Sequence, residues 1–284
     1  MKKSVIALVF DFDETLGFDS ITYLLEKNKI SYDDFWPRVY DMVKDSWDPP
    51  LAYMHVLLEY AKQGKIDLSQ KSLREKGASL PLFAGIPEVF DELRLFVKEE
   101  ETLHTANVTL EYYVISGGLE EMVLGSSVAE YMTGIFGSSF AYDVKMKKPL
   151  GIKTAISFTE KTRYLFGINK GLSVSELRTK PYRINDVVLK EERRVPFSQM
   201  IYIGDGPSDI PTLSVIAQYG GTGIGVVSPH KTFKKGYELA RGRRITVGPY
   251  TANYTAGSDM RKVLEATILK IGLEIAENQQ KHVQ

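Results

Sequence analysis

Asp11 and Asp13 stand one residue apart at the end of the apolar run Val5-Ile-Ala-Leu-Val-Phe10. The run has no polar alternation, which suits a short strand buried on both faces in the middle of a parallel sheet. Residues i and i+2 of an extended chain point the same way, so the two carboxylates share one small volume at the strand's carboxyl end. Such a pair resists joint ionisation unless a cation neutralises it. A hard divalent ion such as Mg2+ accepts carboxylate oxygens and leaves positions open for phosphate and water. Taken alone, an Asp-rich turn at a polar strand end reads the same way, so the rest of the chain has to decide.

Two further strand-like runs end in polar turns. Asn107 to Ile115 ends in Ser116-Gly117-Gly118, and Met200 to Ile203 ends in Gly204-Asp205-Gly206-Pro207-Ser208-Asp209. With these three motifs in this order, the chain resembles the haloacid dehalogenase-like (HAD) superfamily and its phosphoserine-phosphatase-like branch. The first motif of that family, DxDx(T/V), stands as Asp11-Phe-Asp-Glu-Thr15. The second, a Ser or Thr closing a strand, stands as Ser116, and the fourth, GDGxxD, as Gly204 to Asp209.

The resemblance implies a Mg2+-dependent phosphatase that hydrolyses a phosphate monoester of a small metabolite through an aspartyl-phosphate. In that scheme Asp11 is the nucleophile and Asp13 the general acid, then base. Asp205 completes the metal site with Asp11 and the Asp13 carbonyl, and Asp209 orients that site from behind. Thr15, Ser116 and the Gly117 amide lie on the substrate side. The spacing itself shows only that both aspartates can reach one substrate. A dehalogenase of the same superfamily would not need the second Asp, so phosphoryl transfer is favoured. The family's phosphate-neutralising lysine is poorly specified by sequence. Lys161, at a helix start, is the best candidate, Lys170 in Asn-Lys-Gly its rival, and Lys147 or Lys148 a more distant choice. Rival readings are a phosphotransferase or sugar-phosphate mutase, and a binding or regulatory protein that keeps the fold without turnover.

These motifs need elements to carry them. Alternating strands and helices imply an α/β protein, a three-layer Rossmann-like, HAD-like core with a mostly parallel sheet. Active sites of such sheets lie beyond the carboxyl ends of the strands, where every motif here ends. Between the first two motifs, Ser20 to Lys29, Tyr32 to Asp45, Pro50 to Gly64 and Leu68 to Ser79 each carry helical spacing, with breaks at Asp48-Pro49-Pro50 and Gly64. The division expected is a core of residues 1–16 and 83–284, with an α-helical cap at 17–82 inserted after the first strand. Family resemblance makes it a C1-type cap, and its aromatic stripes read first as its own core. Further along, Leu119 to Tyr131 reads as a helix, Gly134 to Tyr142 and Ala155 to Phe158 as strands, and Thr159 to Gly171 as a helix. Ser173 to Pro196 reads as a charged surface insertion. Gly223 to Val227 and Arg244 to Val247 read as strands, and a final helix begins at Ser258-Asp259 and runs to about Asn278.

Composition sets limits. The chain has 284 residues, with 43% hydrophobic and 25% charged side chains, ordinary for a globular protein with a large core. Equal numbers of basic and acidic residues leave no bulk field to recruit nucleic acid or an anionic membrane. No apolar stretch approaches a membrane span, and no signal peptide is read at Met1-Lys2-Lys3. The absence of cysteine excludes disulfides and thiolate chemistry and makes the cytoplasm the expected location. The four histidines share no metal-ligand spacing. Sequence does not fix the oligomeric state or the substrate.

Overall fold

The computed structural model describes residues 4–232, 234–242 and 245–281. Seven strands form one sheet: β1 (Ser4–Phe10), β2 (Val108–Leu119), β3 (Gly134–Tyr142), β4 (Pro149–Thr154), β5 (Met200–Gly204), β6 (Thr222–Val227) and β7 (Val247–Thr251). Their order is β4-β3-β2-β1-β5-β6-β7. Every pairing is parallel except β3 with β4. The helices are α1 (Ser20–Lys27), α2 (Tyr32–Lys44), α3 (Pro49–Lys62), α4 (Gln70–Ala78), α5 (Val89–Glu99), α6 (Glu101–Thr105), α7 (Glu120–Gly125), α8 (Glu160–Lys170), α9 (Val174–Thr179), α10 (Ile210–Gln218), α11 (Lys234–Arg241) and α12 (Asp259–Lys281). Among the described residues, no helix is long and apolar enough to cross a membrane.

The central strand explains the layers. Its continuous apolar run splits by period two. Ile6, Leu8 and Phe10 enter one core with Phe90 of α5 and Leu264 and Ile268 of α12. Val5, Ala7 and Val9 enter the other with Leu165 and Ile168 of α8 and Leu213 and Ile216 of α10. The sheet is therefore covered on both faces, and the expected three-layer α/β architecture is present. The chain builds outward from β1 on one side through β2 to β4, then crosses to the other side for β5 to β7. β1 is thus the place where strand order reverses, the usual position of a ligand crevice in such a sheet.

Four expectations are corrected. Ala155 to Phe158 is a loop, and the strand is the preceding Pro149–Thr154, antiparallel at the sheet edge. Its Pro, Gly and Lys mask any strand pattern. The helix read over Leu119 to Tyr131 is short: α7 ends at Gly125, and a 3-10 turn follows at Ala129–Tyr131. The segment from Ser173 to Pro196 is more than a solvated insertion. It contains α9, it buries Leu177 and Val195 in the second core, and Arg194 pairs with Glu111 of β2. The strand read at Arg244 to Val247 starts only at Val247, and residues 243–244 lie outside the described residues, as does His282.

Candidate active site

Register brings the motifs together. Phe10 is level with Val114 of β2 and Ile203 of β5, and the Asp11 amide donates to the Ile203 carbonyl at 2.9 Å. Asp11 and Gly204-Asp205 consequently end neighbouring strands at one height, and Ser116 follows two residues after Val114 inside β2, which runs on to Leu119 where the sequence places the strand end at Ile115. By alternation Asp11 continues the Val5, Ala7, Val9 face, the face covered by α8. Lys161, in the first turn of α8, meets it there.

The Lys161 ammonium lies 3.0 Å from Asp11 Oδ2 and 2.7 Å from Asp209 Oδ1, and all three side chains are almost wholly buried. Burial works against the ammonium, but Asp11 and Asp209 outweigh it and its pKa lies above the ordinary lysine value. Lys170 is elsewhere, donating to the carbonyls of Ile184 and Asp186. The loop at 155–158 explains how Lys161 arrives. The Ile156 amide donates to Ser138 Oγ of β3 at 3.0 Å, which carries the chain across the strand ends before α8 begins.

Each carboxylate has its own surroundings. Asp11 Oδ1 accepts from the Phe12 amide at 2.8 Å, so both oxygens of Asp11 are oriented. Burial and Asp209 push its pKa up to about 7, against the pull of Lys161. Asp13 Oδ1 accepts from the Ser20 amide at 2.7 Å. Burial first, then Asp19 and Asp11, hold its carboxyl well above the usual range. Asp205 is pushed up to about 8 by burial, Asp209 and Asp11. Asp209 is fully buried, and it accepts from Lys161, from the Tyr202 hydroxyl at 2.6 Å and from the Gly206 amide at 3.2 Å.

Carboxylate oxygens of Asp11, Asp205 and Asp209 lie within 4.8 Å of one another. Three hard oxygen donors this close, two of them with raised pKa, fit a divalent cation. The Asp13 side chain is not part of that group. Asp209 already has partners on both oxygens, which suits an orienting place behind the metal.

Ser116 is fully buried, and its hydroxyl accepts from the Gly118 amide at 2.9 Å. The Gly117 carbonyl accepts from the Tyr53 hydroxyl at 2.7 Å and from Ser138 Oγ at 2.9 Å. A helix of the 17–82 segment is thereby tied to the second motif. Thr15 is placed differently from the expectation. It is fully buried, its hydroxyl has no partner among the described residues, and its carbonyl accepts from the Tyr254 hydroxyl.

A cavity of about 410 Å3 opens above these groups, lined by Asp11, Asp13, Gly117, Gly118, Lys161 and Asp205 on the strand side. Its far wall is α2 and α3. Trp36, Val39, Tyr40 and Val43 of α2 recur at the spacing of one helix face and line it, with Tyr53 of α3. The aromatic stripe expected to be internal core therefore serves two purposes. Phe35 and Tyr60 are core, while Trp36 and Tyr40 face the cavity. Asp19, Phe158 and Lys231 also line it and were not singled out from sequence. Asp19 could have been suspected from its place six residues after Asp13.

Gly118 is required by this packing. A Cβ there would lie 2.4 Å from Asp13 Oδ2 and 3.0 Å from Ser20 Oγ. Gly118→Ala is expected to push the Asp13 carboxylate aside and to lower any turnover about 100-fold, the scale of a misplacement near 1 Å. Gly151→Ala, whose Cβ would meet nothing within 4 Å, is the control. Equal rates for the two variants would contradict the placement of Asp13.

No family model matches the chain. A curated relative, an uncharacterized protein of Borreliella burgdorferi, is 28% identical over 241 residues, covering 76% of this chain and 79% of the relative. A HAD family hydrolase of Salmonella enterica serovar Typhi superposes with a TM-score of 0.50 at 15% identity. That match covers 80% of this chain and 63% of the hydrolase, so the chain spans less than two thirds of its length. A phosphoserine phosphatase solved with bound substrate gives a TM-score of 0.49 at 16% identity, over 94% of this chain and 99% of the other. The likeness to the Salmonella hydrolase is one of fold.

Proposed function

We propose that the chain is a Mg2+-dependent phosphatase of the HAD type, acting on the phosphate monoester of a small molecule through an aspartyl-phosphate on Asp11. The observation that carries this reading is the buried contact of Lys161 with Asp11 at 3.0 Å, beside a carboxylate group that fits a divalent cation. Asp11 and Asp205 would hold the metal, with the Asp13 carbonyl. The bound ion supplies positive charge for the phosphate oxygens.

The chain's own groups do the rest. A carboxylate oxygen of Asp11 attacks phosphorus as the bond to the alcohol oxygen breaks. Asp13, whose buried surroundings favour the protonated form, gives its proton to the leaving alkoxide. It then takes a proton from the water that attacks the phosphoryl group, which leaves as phosphate and frees Asp11. Lys161 keeps the nucleophile oriented and balances the charge that gathers on the phosphoryl oxygens. The segment 17–82 acts as a cap, its α2 face closing the cavity against water and reading the alcohol portion of the substrate.

The test is phosphate release from a panel of phosphorylated small molecules, with and without a chelator. Release that stops on chelation and returns with Mg2+ is expected. Transfer of the phosphoryl group to an added alcohol without free phosphate would assign a transferase instead. The role of Asp13 has its own signature. Asp13→Ala should slow an alkyl phosphate by about 10²- to 10⁴-fold and an aryl phosphate, whose leaving group needs little protonation, much less in the first step. Equal losses in single-turnover cleavage of both would remove the acid role.

A further inference from the structure

Which alcohol the cavity accepts can be read from its charges and its aromatic wall. Five carboxylates line it (Asp11, Asp13, Glu14, Asp19 and Asp205), and among the described lining residues only Lys161 and Lys231 are cations. Lys161 is engaged by Asp11 and Asp209. Lys231 is engaged by Glu14 at 3.1 Å. With Lys161 assigned to the phosphate end and Lys231 paired with Glu14, neither ammonium is left to receive a second anionic group, a carboxylate, on the substrate. Asp19 is the opposite case. Its Oδ1 caps α1 by accepting from the Thr22 amide at 2.7 Å, and among the described residues no cation pairs with it.

Trp36 and Tyr40, whose rings stack with centroids 5.9 Å apart, line the same cavity as Asp19. Val39, Val43 and Phe158 complete an apolar wall. Aromatic faces beside a carboxylate attract alkylated ammonium groups. The ring quadrupoles and the anion act together, and the alkyl groups bury against apolar side chains. A neutral apolar group would satisfy the wall but leave Asp19 facing hydrocarbon, which is costly. An acidic group would add repulsion.

Resting on the phosphatase reading above, we infer that the substrate is a phosphate monoester of a small alcohol bearing a cationic, alkylated nitrogen. Asp19 and the Trp36–Tyr40 face receive that nitrogen while the phosphate meets Asp11 and Lys161. Asp19, Trp36 and Tyr40 line the same cavity of about 410 Å3 as Asp11 and Lys161, a size suited to a small zwitterionic ester.

The test compares kcat/KM for phosphocholine with that for its neutral carbon isostere, 3,3-dimethylbutyl phosphate, and with O-phosphoserine. An aryl phosphate reports the basal chemistry. Phosphocholine should exceed the isostere by about 10- to 30-fold, the range of a desolvated cation at an aromatic face, and exceed phosphoserine by more. Asp19→Asn keeps the helix cap, since Asn caps as well as Asp, and should shrink the ratio of phosphocholine to isostere to about two. Trp36→Leu should shrink it as well, which guards against a fold-specific effect of either variant. A ratio near one in the wild type, or one unmoved by both substitutions, overturns the inference. So does turnover of the aryl phosphate with none of either ester. Failure to release phosphate from any of the four compounds overturns the phosphatase reading itself.

Discussion

Asp11→Asn is expected to abolish phosphate release while the protein stays folded. Removal of a covalent nucleophile from a preorganised site costs on the order of 10⁴- to 10⁶-fold, because binding and electrostatics remain but no bond to phosphorus can form. The amide is nearly isosteric with the carboxylate. It keeps an oxygen for the Phe12 amide and removes one of the carboxylates that crowd Asp205 and Asp209. It also takes from Lys161 one of its two carboxylate partners, leaving Asp209, so the metal-free variant should melt below the wild type while remaining folded. Retained turnover, with deamidation excluded by mass measurement, would remove Asp11 from the mechanism. A collapse of the fold would show that the carboxylate is needed structurally.

Lys161→Met is expected to damage both function and stability. Without the ammonium, Asp11 and Asp209 face each other in a buried space without their cation. Breaking a buried ion pair from one side costs about 3–5 kcal/mol, and loss of one preorganised donor to a developing anion costs about 10²- to 10³-fold in rate. The loss of stability should grow with pH. Burial and Asp209 already raise the folded-state pKa of Asp11 to about 7, above its value in the unfolded chain. Between those two values the folded protein binds more protons than the unfolded one, so stability falls as pH rises through that window. Removing Lys161 takes away an influence that lowers the Asp11 pKa, and extends the fall upward. Thermal melts of wild type and variant at pH 5 and pH 8, both without metal, should diverge more at pH 8. A constant gap, or one larger at pH 5, would mean that the Lys161–Asp11 contact is not the source of the effect. Lys170→Met, which loses only carbonyl contacts near the surface, should change the rate little.

The sequence carried some of this plainly and some not at all. β1 could be read because a strand buried on both faces must be apolar throughout, and Asp11 and Asp13 interrupt that run where the sheet ends. Lys161 could be placed near Asp11 by its position at a helix start. The reason expected for it, a strand at Ala155 to Phe158, is replaced by a loop whose apolar residues cross the strand ends. β4 was not legible, because an edge strand of Pro, Gly and Lys needs no apolar pattern. The α2 stripe shows another limit. Periodicity places Trp36, Val39, Tyr40 and Val43 on one helix face, but the same spacing serves a core or a cavity wall. Only the packing of α2 over the strand ends decides between them. Thr15 shows the reverse, since its motif position is clear but its side chain is fully buried, without a partner, and is not among the residues that line the cavity.

Turnover through a covalent bond between phosphorus and Asp11 leaves a trace on the protein. Asp13→Ala, which lacks the base for the second step, should accumulate that species when given an aryl phosphate labelled on phosphorus and quenched in acid. We expect a hydroxylamine-labile phosphoryl label on the peptide that contains Asp11, dependent on Mg2+ and absent when Asp11→Asn is added. Phosphate release with no protein-bound label, or label on any other residue, would rule out Asp11 as the nucleophile.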